Sequence, residues 1–150
     1  MDAGDTAARN RDVVGRFYDV VWNEWDLAAA PEVIAQDVHF RGSLGKRVVG
    51  IDGFRRYVEQ VRAAFPDFHN RVDDLIGEGE KIVARLTCTG THRGELFGIA
   101  PTGRHVTYAA VAVLSLNDGK IHDAWVVGDT QEVWRALRSV PPEVLRGSTD

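Results

Sequence analysis

Two carboxyls close to the C-terminal end have the type and spacing best suited to proton transfer. In the run Lys120 to Asp129 (KIHDAWVVGD) the side chains alternate as they do in a strand. Regular alternation puts Ile121, Asp123, Trp125, Val127 and Asp129 on one face. Two acids on either side of an indole suit general acid and base work. Apolar surroundings disfavour a charged carboxyl, and two neighbouring acids disfavour each other's ionisation. A second reading uses the same residues. Asp129-Thr130-Gln131-Glu132 has the spacing of a capping box, with Asp129 capping a helix and Glu132 reaching back. Asp123 equally suits a solvated strand mouth or an ion pair with an arginine.

Histidines supply the second set of candidates. His92 and His105 flank the Gly- and Pro-containing segment Gly94 to Gly103, which brings them to one end of a sheet. An imidazole there polarises a carbonyl or shuttles a proton near neutral pH. The alternatives are a structural hydrogen bond from His92 to the following loop and an exposed loop position for His105. His39 alternates with Arg41 in a short strand and is a further candidate for touching a ligand. Among the aromatics, Trp125 can stack on a planar substrate. Tyr18, Trp22 and Trp25 share the first helix, either as the lining of a cavity or as plain core.

The elements that must position these residues are legible in the periodicity. Val13, Val14, Phe17, Val20, Val21 and Trp25 recur at helical steps, and Asp5 or Thr6 can cap that helix. A short helical stretch from Leu27 to Ala35 is interrupted at Pro31. A third helix follows Asp52-Gly53, carries Phe54, Tyr57, Val58, Val61 and Phe65 on one face, and stops at Pro66. From Val72 the period becomes that of strands, over Lys81 to Thr91, Val106 to Leu116 and Lys120 to Val127. Asn117-Asp118-Gly119 joins the last two as a hairpin. A final helix, Gln131 to Ser139, is ended by Pro141-Pro142. Helices first and antiparallel strands afterwards make an α+β fold with helices on one sheet face.

Composition bounds the function. The chain has 150 residues, 44% hydrophobic and 27% charged, which fits one domain with a core at about residues 8–138 and short flexible tails. Its net charge of −4 lacks the basic excess that nucleic acid demands. The longest apolar run, Ala109 to Leu114, is too short for a bilayer, and the first dozen residues carry acids where a signal peptide needs an apolar core. These features lead to the expectation of a cytoplasmic protein with no membrane partner. Cys88 is the single cysteine, and no cluster has zinc-site spacing. No phosphate loop, dinucleotide fingerprint or Gly-x-Ser-x-Gly elbow occurs, so neither a metal nor a cofactor is expected.

Five blocks in order carry a family resemblance. They are Gly50-Ile51-Asp52-Gly53-Phe54, Ala64-Phe65-Pro66-Asp67-Phe68, the run from Gly90-Thr91-His92 to Pro101-Thr102-Gly103, Asn117-Asp118-Gly119-Lys120-Ile121, and Asp123-Ala124-Trp125 to Asp129. Together they resemble the SnoaL-like polyketide cyclases, across roughly Phe17 to Leu137. The resemblance implies the nuclear transport factor 2-like fold, a bent antiparallel sheet closed into a cone by N-terminal helices around an apolar cavity. It implies cofactor-independent ring closure of a polyketide-type small molecule, with Asp129 as the acid/base, and a homodimer formed through the outer sheet face. Ether or pyran closure by epoxide opening, or another isomerisation, is the alternative chemistry in the same pocket. A non-catalytic binding or dimerisation module is the other alternative. Limonene-epoxide hydrolases share the fold but use an Arg and an Asp two apart on a strand. Here the comparable place reads Arg85-Leu86-Thr87, without that acid.

Overall fold

The computed structural model describes residues 3–138; the C-terminal tail and the Pro141-Pro142 stop lie outside the described residues. Residues 3–7, expected as tail, belong instead to a helix that begins before Asp5 and Thr6, so neither caps it. Helix α1 (Ala3–Arg16) runs straight into a π-helical turn, Phe17–Trp22. There the Asn23 N–H reaches back five residues to the Tyr18 carbonyl at 2.9 Å. Such widened turns are rare and frequent at functional sites. This one buries Phe17, Tyr18, Val21 and Trp22 together.

A 3₁₀ turn (Leu27–Ala29), capped by Asp26, leads to the single-turn helix α2 (Ala30–Val33). The stretch expected to be helical to Ala35 therefore ends earlier. Ile34 begins strand β1 (Ile34–Arg41), whose β-branched and aromatic residues pair in the sheet. Strand β2 (Arg47–Val49) precedes helix α3 (Ile51–Ala64), which buries Ile51, Phe54, Tyr57, Val58, Val61 and Ala64. The remaining elements are β3 (His69–Glu78), β4 (Lys81–Thr91), β5 (His105–Asn117), β6 (Lys120–Gly128) and α4 (Thr130–Arg138). Asp118 and Gly119 take φ of 51° and 74°, the left-handed pair that a two-residue hairpin turn requires.

Six strands form one sheet in the order β2-β1-β6-β5-β4-β3. All neighbours run antiparallel except β1 and β6, which are parallel. The sheet is thus mixed, because β1 lies beside the last strand, with β2 outside it at the edge. Strands β4 and β5 alternate strictly, with Ile82, Ala84, Leu86 and Cys88 facing Tyr108, Ala110, Ala112 and Leu114 on the buried side. Alanines at the centre of that face leave room for large side chains from the helices. Phe17, Phe54 and Trp22 occupy it, and burying each such ring contributes about 1.5–3 kcal/mol. No helix among the described residues is long and apolar enough to cross a membrane.

Strand β6 departs from the regular alternation. Leu116 pairs with Ile121 and Ser115 with Asp123, so His122 is an extra residue with none opposite it on β5. A one-residue bulge moves every later side chain to the opposite face. Ile121 points inward, and so do Ala124 and Val126. Asp123, Trp125 and Val127 face out, with Trp125 43% and Val127 44% exposed. The expected single row is therefore broken, with Ile121 facing in and Asp123, Trp125 and Val127 facing out.

Candidate active site

Between the concave sheet face and the helices lies a cavity of about 40 Å³, open at its mouth. The π-helical turn contributes Tyr18 and Trp22, and α3 contributes Tyr57 and Val61. Phe65 and Phe68 close one side, while Leu86, Cys88, Tyr108, Ala110 and Val126 line the sheet side. Ser43, Leu44 and Leu96, from two loops, stand at the rim. Trp22 meets Phe68 at 5.8 Å between ring centroids and Tyr57 at 6.3 Å, the latter edge to face. Such pairs add about 0.5–1.5 kcal/mol each beyond area burial.

Among the described residues, none that lines this cavity is an acid, a histidine, a lysine or an arginine. The chain's three tyrosines are all in its wall, however. Burial pushes the Tyr57 phenol up to about 12, while hydrogen bonds with the Leu44 backbone and the Ser43 hydroxyl pull it back. Burial drives Tyr18 and Tyr108 higher still, and the nearby Cys88 adds to both shifts. The Cys88 thiol is itself raised to about 12 by burial. Near neutral pH all four groups are protonated donors.

Two of them, Tyr108 and Cys88, join Ser43 and Asn70 in a hydrogen-bonded chain. Ser43 Oγ lies 3.4 Å from Tyr108 Oη. The Tyr108 hydroxyl turns to the Cys88 sulfur, and the Cys88 thiol donates to Asn70 Oδ1 at 3.3 Å. Asn70 is pinned in turn, because its N–H and C=O both bond to the Asn23 side chain at 2.8 Å.

Asp129 sits just beyond this wall. The residue before it, Gly128, packs so closely that a Cβ there would lie 3.0 Å from both Ser43 and Tyr108. Asp129 itself is exposed, and its Oδ1 accepts the Glu132 N–H at 3.3 Å, capping α4. Glu132 lies 3.8 Å from Arg135. Asp129 is thus outside the lining of the cavity, one residue beyond the Gly128 that packs on its wall.

The other sequence candidates fall in different places. Tyr18 and Trp22 line the cavity. Trp25 is half-buried outside it, under the Arg62 guanidinium at 5.0 Å. His92 is fully buried, and its Nδ1 accepts the Thr102 N–H at 3.1 Å. That bond ties down the β4–β5 loop and leaves the imidazole proton on Nε2, which has no partner among the described residues. His105 pairs with Thr91 on the outer face, exposed, with its Nδ1 3.2 Å from the Thr91 hydroxyl. His39, Asp123 and Trp125 share an outer groove, where Arg41 stacks on the indole at 5.4 Å.

Sequence reasoning passed over Tyr57, Tyr108, Ser43, Asn70 and Cys88. The available signal was a phenol in the apolar run Val106 to Leu116, since a buried tyrosine hydroxyl needs a polar partner. Among the described residues no group of three or more His, Cys, Asp or Glu is arranged to hold a metal.

A bent sheet closed by helices around an aromatic, donor-lined cavity defines a small-molecule pocket protein of the α+β cone type. The profile of the SnoaL-like polyketide cyclases matches residues 12–137, and the chain belongs to that family, an enzyme class of cyclases. Aklanonic acid methyl ester cyclase AcmA of Streptomyces galilaeus is 42% identical over 60 residues, a match covering 40% of this chain and 42% of that protein. Among solved structures, a SnoaL-like protein of Jannaschia sp. CCS1 superposes with a TM-score of 0.85 at 22% identity, over 94% of this chain and 99% of that one. AclR of Streptomyces galilaeus, a hydroxylase candidate, superposes at 0.76 with 28% identity, over 95% and 91%.

Proposed function

We propose that the chain catalyses cofactor-independent ring closure on a polyketide-derived ketone held in the aromatic cavity. The observation that carries this reading is the character of the wall, aromatic rings interspersed with neutral hydroxyl and thiol donors. Such a wall takes up a flat apolar ketone by burial and stacking, and offers hydrogen bonds to its oxygens. Similarity to a cyclase named for aklanonic acid methyl ester supports the same substrate class.

In this reading Asp129 is the acid/base. Its carboxylate, oriented through Oδ1 by the Glu132 N–H, removes a proton from carbon beside a carbonyl at the cavity rim. The enolate carbon then attacks a second carbonyl of the same molecule. Holding the two carbons in near-attack geometry contributes much of the rate, and the positioned base adds about 10²–10⁴-fold. Epoxide opening by paired carboxyls fits less well, because Asp123 faces the outer groove. A purely binding role draws support from one feature, the cap that Asp129 forms on α4. In the proposed assembly a second copy covers the outer sheet face. Val111, Trp125 and Val127 are exposed there on adjacent strands, and sedimentation velocity reads the resulting mass.

The test separates catalysis from capping. Asparagine caps a helix about as well as aspartate but cannot take a proton, whereas alanine does neither. With aklanonic acid methyl ester as substrate, Asp129→Asn should lose about 10²-fold or more in turnover at an unchanged Tm. Equal turnover for wild type and Asp129→Asn, with only Asp129→Ala lowering the Tm, leaves the residue a cap and sinks the mechanism.

A further inference from the structure

We propose that Tyr57 is a catalytic residue of this cavity, the proton donor to the oxygen that becomes an alkoxide as the ring closes. The proposal rests on the ring-closure reading above. Its geometry begins at the turn after β1. Gly42 donates to the Lys46 carbonyl at 3.2 Å and Gly45 to the Gly42 carbonyl at 3.0 Å, which closes a tight loop over the cavity. The Tyr57 phenol is inserted directly beneath Gly42, where an added Cβ would overlap Oη at 2.0 Å. Phe40 at 5.1 Å and Trp22 at 6.3 Å hold the ring from its sides. The oxygen is therefore fixed at one point of the wall.

Its hydrogen has one competing acceptor, the Ser43 oxygen, which a ligand oxygen in the cavity displaces. The hydroxyl of Ser43 adjoins that of Tyr108, Tyr108 turns to Cys88, and Cys88 donates to Asn70. Those donors are engaged with one another. Tyr57 stands at the end of this chain, and its oxygen accepts from the Leu44 backbone. That accepted bond also stabilises the oxygen once its own proton has left.

The step balances without an oxidant or a cofactor. Asp129 takes a proton from carbon, and the resulting enolate carbon bonds to the second carbonyl carbon. The C=O π electrons move onto oxygen, which takes the Tyr57 proton. The phenolate recovers a proton from the protonated Asp129 carboxyl through solvent at the mouth, so the reaction is a net isomerisation.

Tyr57→Phe removes only the hydroxyl, and two readouts test it. With aklanonic acid methyl ester, kcat should fall about 10²–10³-fold while KM moves far less, at an unchanged Tm. Independently of turnover, α-tetralone and its hydrocarbon counterpart tetralin serve as probes of the cavity, followed by quenching of tryptophan fluorescence. The variant should bind α-tetralone about 2–10-fold more weakly and tetralin as before. Wild-type kcat in the variant, or an unchanged ketone-to-hydrocarbon affinity ratio, overturns the proposal. A wild-type chain inactive on the ketone ester counts against the ring-closure reading instead, and the affinity ratio then decides the Tyr57 donor by itself.

Discussion

The Asn23 side chain forms a two-point clamp on the backbone of Asn70, accepting its N–H and donating to its C=O at 2.8 Å each. One residue ends the π-helical turn that lines the cavity; the other begins the sheet edge that faces it. The clamp thus sets the spacing between helical lid and sheet where Asn70 receives the Cys88 thiol.

Replacing Asn23 by alanine leaves a buried backbone N–H and C=O without partners. Each unsatisfied group costs about 1–3 kcal/mol, and in a domain of this size each kcal/mol lowers the Tm by roughly 2–4 °C. Thermal unfolding of Asn23→Ala should show a loss of several degrees. A Tm within one degree of wild type would mean that solvent replaces the clamp.

Gly42→Ala tests the turn over the cavity. A Cβ there meets Tyr57 Oη at 2.0 Å and the ring carbon bearing it at 2.2 Å, so the phenol must move or the loop must open. Overpacking of this kind costs about 1–3 kcal/mol. The variant should melt lower than wild type and lose affinity for α-tetralone. Wild-type values for both would show that the turn yields without cost.

Much of the fold was legible because its signals are local. The hairpin at Asp118-Gly119 and the stop of α3 before Pro66 follow from backbone preferences that one or two residues carry. The facing of β6 was not legible, since the bulge at His122 arises from pairing with Ser115 and Leu116 on another strand. Parity counted from Ile121 therefore sent Asp123 and Trp125 to the wrong face. In the site, Tyr18 and Trp22 were accessible through helical spacing, whereas Tyr57 and Tyr108 looked like ordinary core. Their chemistry comes from neighbours distant in sequence: Leu44 for the first, Ser43 and Cys88 for the second.

Trp22 and Trp125 provide a direct check on which indole sees a ligand. Trp22 is 5% exposed in the cavity wall, and Trp125 lies on the outer face under Arg41. Quenching of tryptophan emission by α-tetralone should survive Trp125→Phe and largely vanish in Trp22→Phe. The reverse pattern would move the binding site to the outer groove.

Alkaline pH should destabilise the protein through the same wall. The folded chain holds Cys88 and Tyr57 at about 12, against ordinary values of 9.0 and 10.0 in an unfolded chain. Between those limits the unfolded state has lost protons that the folded state keeps. It then binds fewer protons, so the unfolding free energy falls as pH rises, by about 1.4 kcal/mol per pH unit for each such group. The stabilisation is complete below pH 9 and is lost progressively toward pH 12. Urea midpoints taken at pH 8, 9.5 and 11 should decline, more shallowly in Cys88→Ala and Tyr57→Phe. Because all three tyrosines are in the cavity wall, phenolate absorbance in a pH titration should appear only as the chain unfolds. A phenolate signal near pH 10 from a chain that still melts cooperatively would show that water reaches these hydroxyls and that the wall is not a dry donor surface.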